Sequence, residues 1–317
     1  MVNMKNTMKK CIRGISRDIM KVLITGGSGQ LGYDVIKVFK EKDIEIIYPT
    51  SIEMDITDKD NVIKVIQDYK PDLVIHCAAW TNVDKAEILE NKYLVRKINV
   101  DGTKNIALAC KMIDAKMIYI STDYVFDGKG DVPFDEESKS LEPLNYYGKT
   151  KLEGEYLVKD ILTKYFIVRT SWVYGINGNN FVKTMINLSK KYKEIRVVND
   201  QIGSPTYTLD LANFLYEISL SDKYGIYHAT NSGSYISWYD FAKEIFKEIK
   251  CDIKVNPVTT LEYGSKTLRP YNSRLDKKKI LNNGFNELPS WENALERFIK
   301  VLEESGELDG EYQSNKM

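Results

Sequence analysis

The stretch Lys21 to Gly32, KVLITGGSGQLG, decides the fold. Lys21 to Thr25 is a short β-branched apolar run that passes at once into glycines. Gly26, Gly29 and Gly32 follow a G-x-x-G-x-x-G spacing. Leu31, Val35, Val38 and Phe39 then recur on one face of a helix spanning Leu31 to Lys42. Strand, glycine bend and amphipathic helix in that order form a variant of the dinucleotide fingerprint. A pyrophosphate must lie almost against the backbone at such a bend. Glycine permits the tight turn and the close approach, and the helix N-terminus offers N–H donors and a partial positive charge. Glycine-rich turns are common, so it is the position between strand and helix that lifts the bend above an ordinary turn.

Outward from this bend the chain alternates. Strands are predicted at Ile44 to Tyr48, Asp72 to Ala78, Lys116 to Ser121 and Tyr165 to Arg169. Helices are predicted at Asn61 to Tyr69, Val95 to Asp114 and Tyr147 to Lys159. The strands are near-continuous apolar runs, as doubly covered strands should be. The pattern implies an α/β fold: a Rossmann-type, doubly wound parallel sheet with right-handed crossovers. After Ser171 it loosens. Ile176 to Asn180 reads as a polar loop, Ile195 to Val198 as a short strand, and Phe181 to Lys191, Leu209 to Leu220, Ser237 to Ile249 and Pro289 to Leu302 as helices. The expected organisation is a leader at 1–20 and a nucleotide-binding domain at 21–170, with contributions from about 195–232. A smaller substrate lobe at 171–194 and 233–302 and a frayed tail at 303–317 complete it.

Composition narrows the function. Lys plus Arg and Asp plus Glu each number 45, so the net charge is zero and no basic excess points to nucleic acid. No apolar run reaches the roughly 18 residues that a bilayer span needs, and Met1 to Met20 lacks the apolar core of a signal peptide. A cytoplasmic protein without membrane partners is expected. The four cysteines, Cys11, Cys77, Cys110 and Cys251, form no C-x-x-C pair, and the only histidines are His76 and His228. No metal site is assigned, and a Ser-His-Asp hydrolase is disfavoured.

The segment YYGKTK, Tyr146 to Lys151, carries the chemistry. Tyr147 and Lys151 stand four apart, one turn apart on a helix face, whereas four residues past Tyr146 lies Thr150. A nearby ammonium, together with a positive nicotinamide ring, stabilises the phenolate and is expected to lower the tyrosine pKa, letting it exchange a proton near neutrality. With 21 tyrosines the spacing also arises by chance; its place after the fourth strand is what counts. That strand ends in Ser121-Thr122-Asp123, where hydroxyls point into the ligand crevice. At the end of the second strand, Pro49-Thr50-Ser51 holds neither carboxylate nor arginine. Thr50 or Ser51 suits a 2′-phosphate, so NADPH is expected with NADH as the alternative. Asp55 either reaches the adenine or serves as a turn or N-cap residue.

With these pieces placed, the chain resembles the extended short-chain dehydrogenases and, more narrowly, the RmlD family of dTDP-4-dehydrorhamnose reductases. The resemblance runs from about Lys21 to Phe298. It is carried by GGSGQLG, AAWTNVDKAE (78–87), INVDGTKNIA (98–107), STDYVFDG (121–128), YYGKTKLEGE (146–155), RTSWVYG (169–175), DQIGSPT (200–206) and RPYNSRLD (269–276). It implies Thr122, Tyr147 and Lys151 as catalytic residues. Its implied cofactor contacts are Gly26, Gly29, Gln30, Leu31, Gly32, Asp55, Ile56, Ala78, Ala79, Trp80, Thr81 and Asn99, together with Tyr147 and Lys151. Its implied sugar-nucleotide contacts are Thr122, Asp123, Trp172 and Arg269, the last either neutralising a diphosphate or forming a surface ion pair. The implied reaction reduces the 4-keto group of a dTDP-sugar with NAD(P)H. Some members dimerise around Mg²⁺ through an acidic residue two positions past the last cradle glycine. Here the shorter Asp34 stands there, so Mg²⁺ is carried only as a candidate link, and the expected state is a monomer or a homodimer. Trp80 also replaces the smaller residue common in the family.

Three rival readings share the fold. A dehydratase needs a carboxylate pair after the threonine, but Tyr124 follows Asp123. A 4-epimerase would hold its NAD tightly. A regulatory subunit of methionine adenosyltransferase would bind NADP without turnover, and the intact Thr122, Tyr147 and Lys151 argue against that role.

Overall fold

The computed structural model describes residues 19–308. The expected leader, except Ile19 and Met20, and the tail beyond Leu308 lie outside the described residues.

The first half runs β1 (Lys21–Thr25), α1 (Gln30–Lys40), β2 (Glu45–Ile47), α2 (Lys59–Tyr69), β3 (Leu73–His76), α3 (Val83–Ala86) and α4 (Leu89–Arg96). A π-helical turn (Lys97–Gly102) leads to α5 (Thr103–Ile113), β4 (Lys116–Thr122), α6 (Tyr146–Ile161) and β5 (Tyr165–Thr170). The second half holds β6 (Val173–Tyr174), α7 (Phe181–Ser189), β7 (Glu194–Val198), β8 (Ile202–Gly203), β9 (Thr206–Tyr207), α8 (Thr208–Ser219) and β10 (Gly225–His228). It continues with β11 (Ile236–Ser237), α9 (Trp238–Glu248), β12 (Lys254–Val258), α10 (Thr260–Tyr263), α11 (Lys278–Asn282) and α12 (Trp291–Glu304).

Six strands form one sheet in the order β10-β5-β4-β3-β1-β2, every neighbour parallel. Successive side chains of a strand point to opposite faces, and both faces are covered. Val22, Ile24, Leu73 and Ile75 meet α1 and α8 on one side, while Leu23, Val74, Met117 and Ile167 meet α2, α5 and α6 on the other. Fully burying one such aliphatic side chain contributes about 1.5–3 kcal/mol. From β1 the chain steps outward to β2, then crosses to β3 on β1's other side. This reversal opens a crevice at the carboxyl ends of β1 and β3, where ligands of open α/β sheets bind.

A second core, built from α7, α9 and α12 with Tyr174 and Tyr207, forms the smaller lobe. Ile195 to Val198, expected to contribute to the nucleotide-binding domain, belongs to this lobe. As β7 it pairs with β12, in an exposed-buried alternation that suits a strand covered on one face only. Gly225–His228 supplies the sheet's sixth strand instead. The expected fraying from Glu303 does not extend through the described residues. Leu308 packs into the lobe core and Glu307 pairs with Lys183 at 2.7 Å. The single helix expected over Val95 to Asp114 is interrupted by the π-helical turn, at the point where Asn99 turns inward. Such wide turns often mark functional sites.

Candidate active site

The glycine bend fits an anion. Gly29 caps α1 without a side-chain hydrogen bond, and no acidic residue stands in the first turn. The N–H groups of Gln30, Leu31 and Gly32 have no partner within the helix. Gly26 has φ +68°, and a Cβ there would lie 2.6 Å from Ala78 N, while one at Gly32 would lie 2.2 Å from Gly26 O. The bend is therefore pressed against the end of β3, and side chains have no room there. Asn177, from the loop expected over Ile176 to Asn180, donates to Ser28 O at 2.7 Å. Gln30 donates to Val173 O at 3.2 Å. Both tie the lobe to the cradle.

The wall beyond β3 is held by a directional chain. Thr103 donates its hydroxyl to Asn99 O at 2.7 Å, so it accepts from His76 Nε2–H at 3.2 Å. Nδ1 is then left to accept from Thr25 at 2.8 Å, and Thr25 accepts the Ala78 N–H at 3.1 Å. Burial holds the His76 pKa down at about 3, so the ring stays neutral. Asn99 clasps the Trp80 backbone from both sides (2.8 and 3.2 Å) and donates to Thr150 at 3.0 Å. Ala78, Ala79 and Trp80 are thus set half-buried along the crevice, with Thr81 exposed beyond them. At the β2 end Thr50 is committed: its N–H and hydroxyl donate to Glu53 at 2.7 and 2.9 Å. Ser51 is the exposed hydroxyl there. Asp55 accepts the Thr57 N–H at 2.9 Å, a turn role, and Asp58 rather than Asp55 caps α2. The Ile56 side chain is buried against Gly102, which leaves only its backbone to face a ligand.

On the far side Asn145 caps α6 by accepting the Gly148 N–H at 2.9 Å, and Tyr147 and Lys151 follow on one helix face. Thr122 donates to Asp123 Oδ1 at 2.9 Å and accepts the Tyr124 N–H at 3.2 Å. Lys151 by itself does not depress the Tyr147 pKa. Burial pushes the phenol up, and the neighbouring Asp123 charge adds to this, outweighing a hydrogen bond with Thr122. The lysine is itself buried, with Nζ 4.1 Å from the centre of the Tyr119 ring, and burial pulls its pKa down to about 7. Tyr147 therefore stays a loaded proton donor at neutral pH. Asp123 is 3% exposed. Its Oδ2 has no hydrogen-bond partner among the described residues, and burial raises its pKa to about 6.

Trp172 has φ +49°, in a region costly for a bulky residue and seen mostly where strain serves a site. Its ring stacks on Trp238 at 3.7 Å and 14°, a partner that sequence reasoning missed. Arg269 binds both Asp84 oxygens at 2.8 Å and so adopts the ion-pair reading. The pair holds Arg269 against α3. Asp34 is buried and accepts a hydrogen bond from Thr208. Among the described residues no group of three His, Cys, Asp or Glu side chains could hold a metal, so the Mg²⁺ link finds no support. No helix there is long and apolar enough to cross a membrane.

Comparison with known proteins places the chain in a family. The family model described as RmlD substrate binding domain matches residues 20–304. The chain belongs to the RmlD family. Its RmlD relatives include a dTDP-4-dehydrorhamnose reductase of Aggregatibacter actinomycetemcomitans, 40% identical over 89% of this chain and 99% of that protein. The spore coat polysaccharide biosynthesis protein SpsK of Bacillus subtilis is 43% identical over 88% of this chain and 97% of its own length. A crystal structure of dTDP-4-dehydrorhamnose reductase from Bacillus anthracis in complex with NADP superposes with a TM-score of 0.86. It is 44% identical, covering 89% of this chain and 99% of that one.

Proposed function

We propose that this chain reduces the 4-keto group of dTDP-4-dehydro-β-L-rhamnose to the hydroxyl of dTDP-β-L-rhamnose, using NADPH. The observation that carries the reading is that Tyr147 hydrogen-bonds Thr122 at the carboxyl end of β4, with Lys151 one helical turn on and near Cys77, against whose backbone the glycine bend packs. The dTDP-4-dehydrorhamnose reductase relatives support the substrate, and the NADP complex of the Bacillus anthracis relative supports the cofactor.

The residues present fit the dinucleotide. Gly26, Gly29 and Gly32 with the N-terminus of α1 would hold its pyrophosphate. Ala78 to Thr81 and Asn99 would line its path, and Ser51 would meet the 2′-phosphate. When bound, the dinucleotide would supply the hydride that the sugar C4 accepts. Tyr147 gives its proton to the keto oxygen, which becomes the alcohol. Thr122 hydrogen-bonds the same oxygen and aligns it. Lys151, one helical turn beyond Tyr147, would hold the nicotinamide ribose. Trp172, stacked on Trp238, would wall the sugar.

The test follows NADPH absorbance with dTDP-4-dehydrorhamnose and with rival keto sugar nucleotides. Rapid oxidation with the first supports the reading, and turnover only with another sugar overturns the substrate. Turnover of none, with NADPH still bound, overturns the reductase itself.

A further inference from the structure

Tyr147 and Lys151 continue along α6 into Glu155 at the same four-residue step, so the three share one face. Glu155 and Arg169 are each 1% exposed. Arg169 donates Nε to Oε1 at 2.9 Å and Nη2 to Oε2 at 2.7 Å, and Ser121 donates its hydroxyl to Oε1 at 2.6 Å. Three donors fix both oxygens of this carboxylate in place. Ser121 adjoins Thr122 and lies in register with Arg169, so the ends of β4 and β5 together fix the carboxylate. A buried ion pair is a poor stabiliser compared with apolar residues of the same volume, so stability alone does not account for it.

The carboxylate also lies one helical turn beyond a second cation. Lys151 is 3% exposed, and while burial lowers its pKa, Glu155 is the strongest influence raising it. The remaining titratable groups around the ammonium carry no charge at neutral pH. His76 stays neutral, Cys77 is pushed up to about 12, and the Tyr119 and Tyr147 phenols are raised. Behind Glu155, His228 is also held neutral and faces Arg169 Nη1 at 3.4 Å.

We propose that Glu155, clamped by Arg169 and Ser121, is a positioning residue for the reduction: its fixed negative charge, one turn beyond Lys151, keeps the buried ammonium charged while Tyr147 gives up its proton. The inference rests on the reading of Tyr147 as the proton donor. The test labels lysine Cε with ¹³C in the whole chain, assigns Lys151 through Lys151→Met, and titrates it by NMR. In Glu155→Gln the Lys151 midpoint should fall by about one pH unit or more. The alkaline limb of kcat should move down with it. If Glu155→Gln does not fold because Arg169 is left unpaired, Glu155→Gln/Arg169→Leu takes its place, with a smaller shift in the same direction. An unmoved midpoint in either folded variant overturns the proposal, as does a wild-type midpoint below about 6.5; a wild-type midpoint above that value supports it. Failure of the reductase reading looks different: no keto sugar turns over, yet the Lys151 midpoint still moves with Glu155.

Discussion

Replacing Asp123 by Asn should make the protein more resistant to unfolding as the pH rises. The carboxyl is buried, one oxygen lacks a partner among the described residues, and its pKa is raised from 3.8 to about 6. A carboxyl with a folded pKa above its unfolded value binds its proton more tightly in the native state. Its stabilising effect is fully present below the unfolded pKa of 3.8 and is lost as the pH rises through about 6. At about 1.36 kcal/mol per pKa unit the whole loss is about 3 kcal/mol, about half of it between pH 5 and pH 8. Asparagine keeps the shape and the oxygen that accepts from Thr122, and it does not titrate. Any cost of its buried amide is constant with pH. The assay is urea unfolding of wild type and Asp123→Asn at several pH values from 5 to 8, without ligands. The stability of the variant relative to wild type should climb by about 1.5 kcal/mol across that range. A difference that stays flat would refute the reasoning, because it would mean that Asp123 ionises in the fold as freely as in the unfolded chain. The same variant should bind the sugar nucleotide more weakly, so stability would rise as function falls.

Other expectations concern the cradle and the walls. Tyr147→Phe should keep NADPH affinity, measured by fluorescence titration, while kcat falls by about two to four orders of magnitude; near-normal turnover would remove Tyr147 as the acid. Gly32→Ala places a methyl 2.2 Å from the Gly26 carbonyl, so the bend must shift at a cost of about 1–3 kcal/mol. NADPH affinity should drop at least about tenfold, and an unchanged Kd would show that the bend yields. Trp238→Leu removes the ring stacked on Trp172, worth about 0.5–1.5 kcal/mol beyond its buried area. The KM for the sugar nucleotide should rise while the NADPH Kd holds, and the reverse pattern would place the stack on the cofactor side.

Sequence alone determined what is local. Hydrophobic periods of 2 and 3.6 marked the strands and helices of the parallel sheet, because a face that must be buried repeats within a few residues. The glycine spacing after β1 and the four-residue step from Tyr147 to Lys151 are likewise short-range, and they were legible as chemistry before any coordinates. The tertiary structure decided what depends on residues distant in the chain. β7 found β12 rather than the main sheet, since strand pairing is a long-range choice. Arg269 met Asp84 across 185 positions and Trp172 met Trp238, with no motif to announce either pair. The direction of the Tyr147 and Asp123 pKa shifts followed from burial and from charges gathered around them. Spacing along one helix placed a phenol and an ammonium on the same face, but only the packed protein set how much water each lost and which carboxylates faced them.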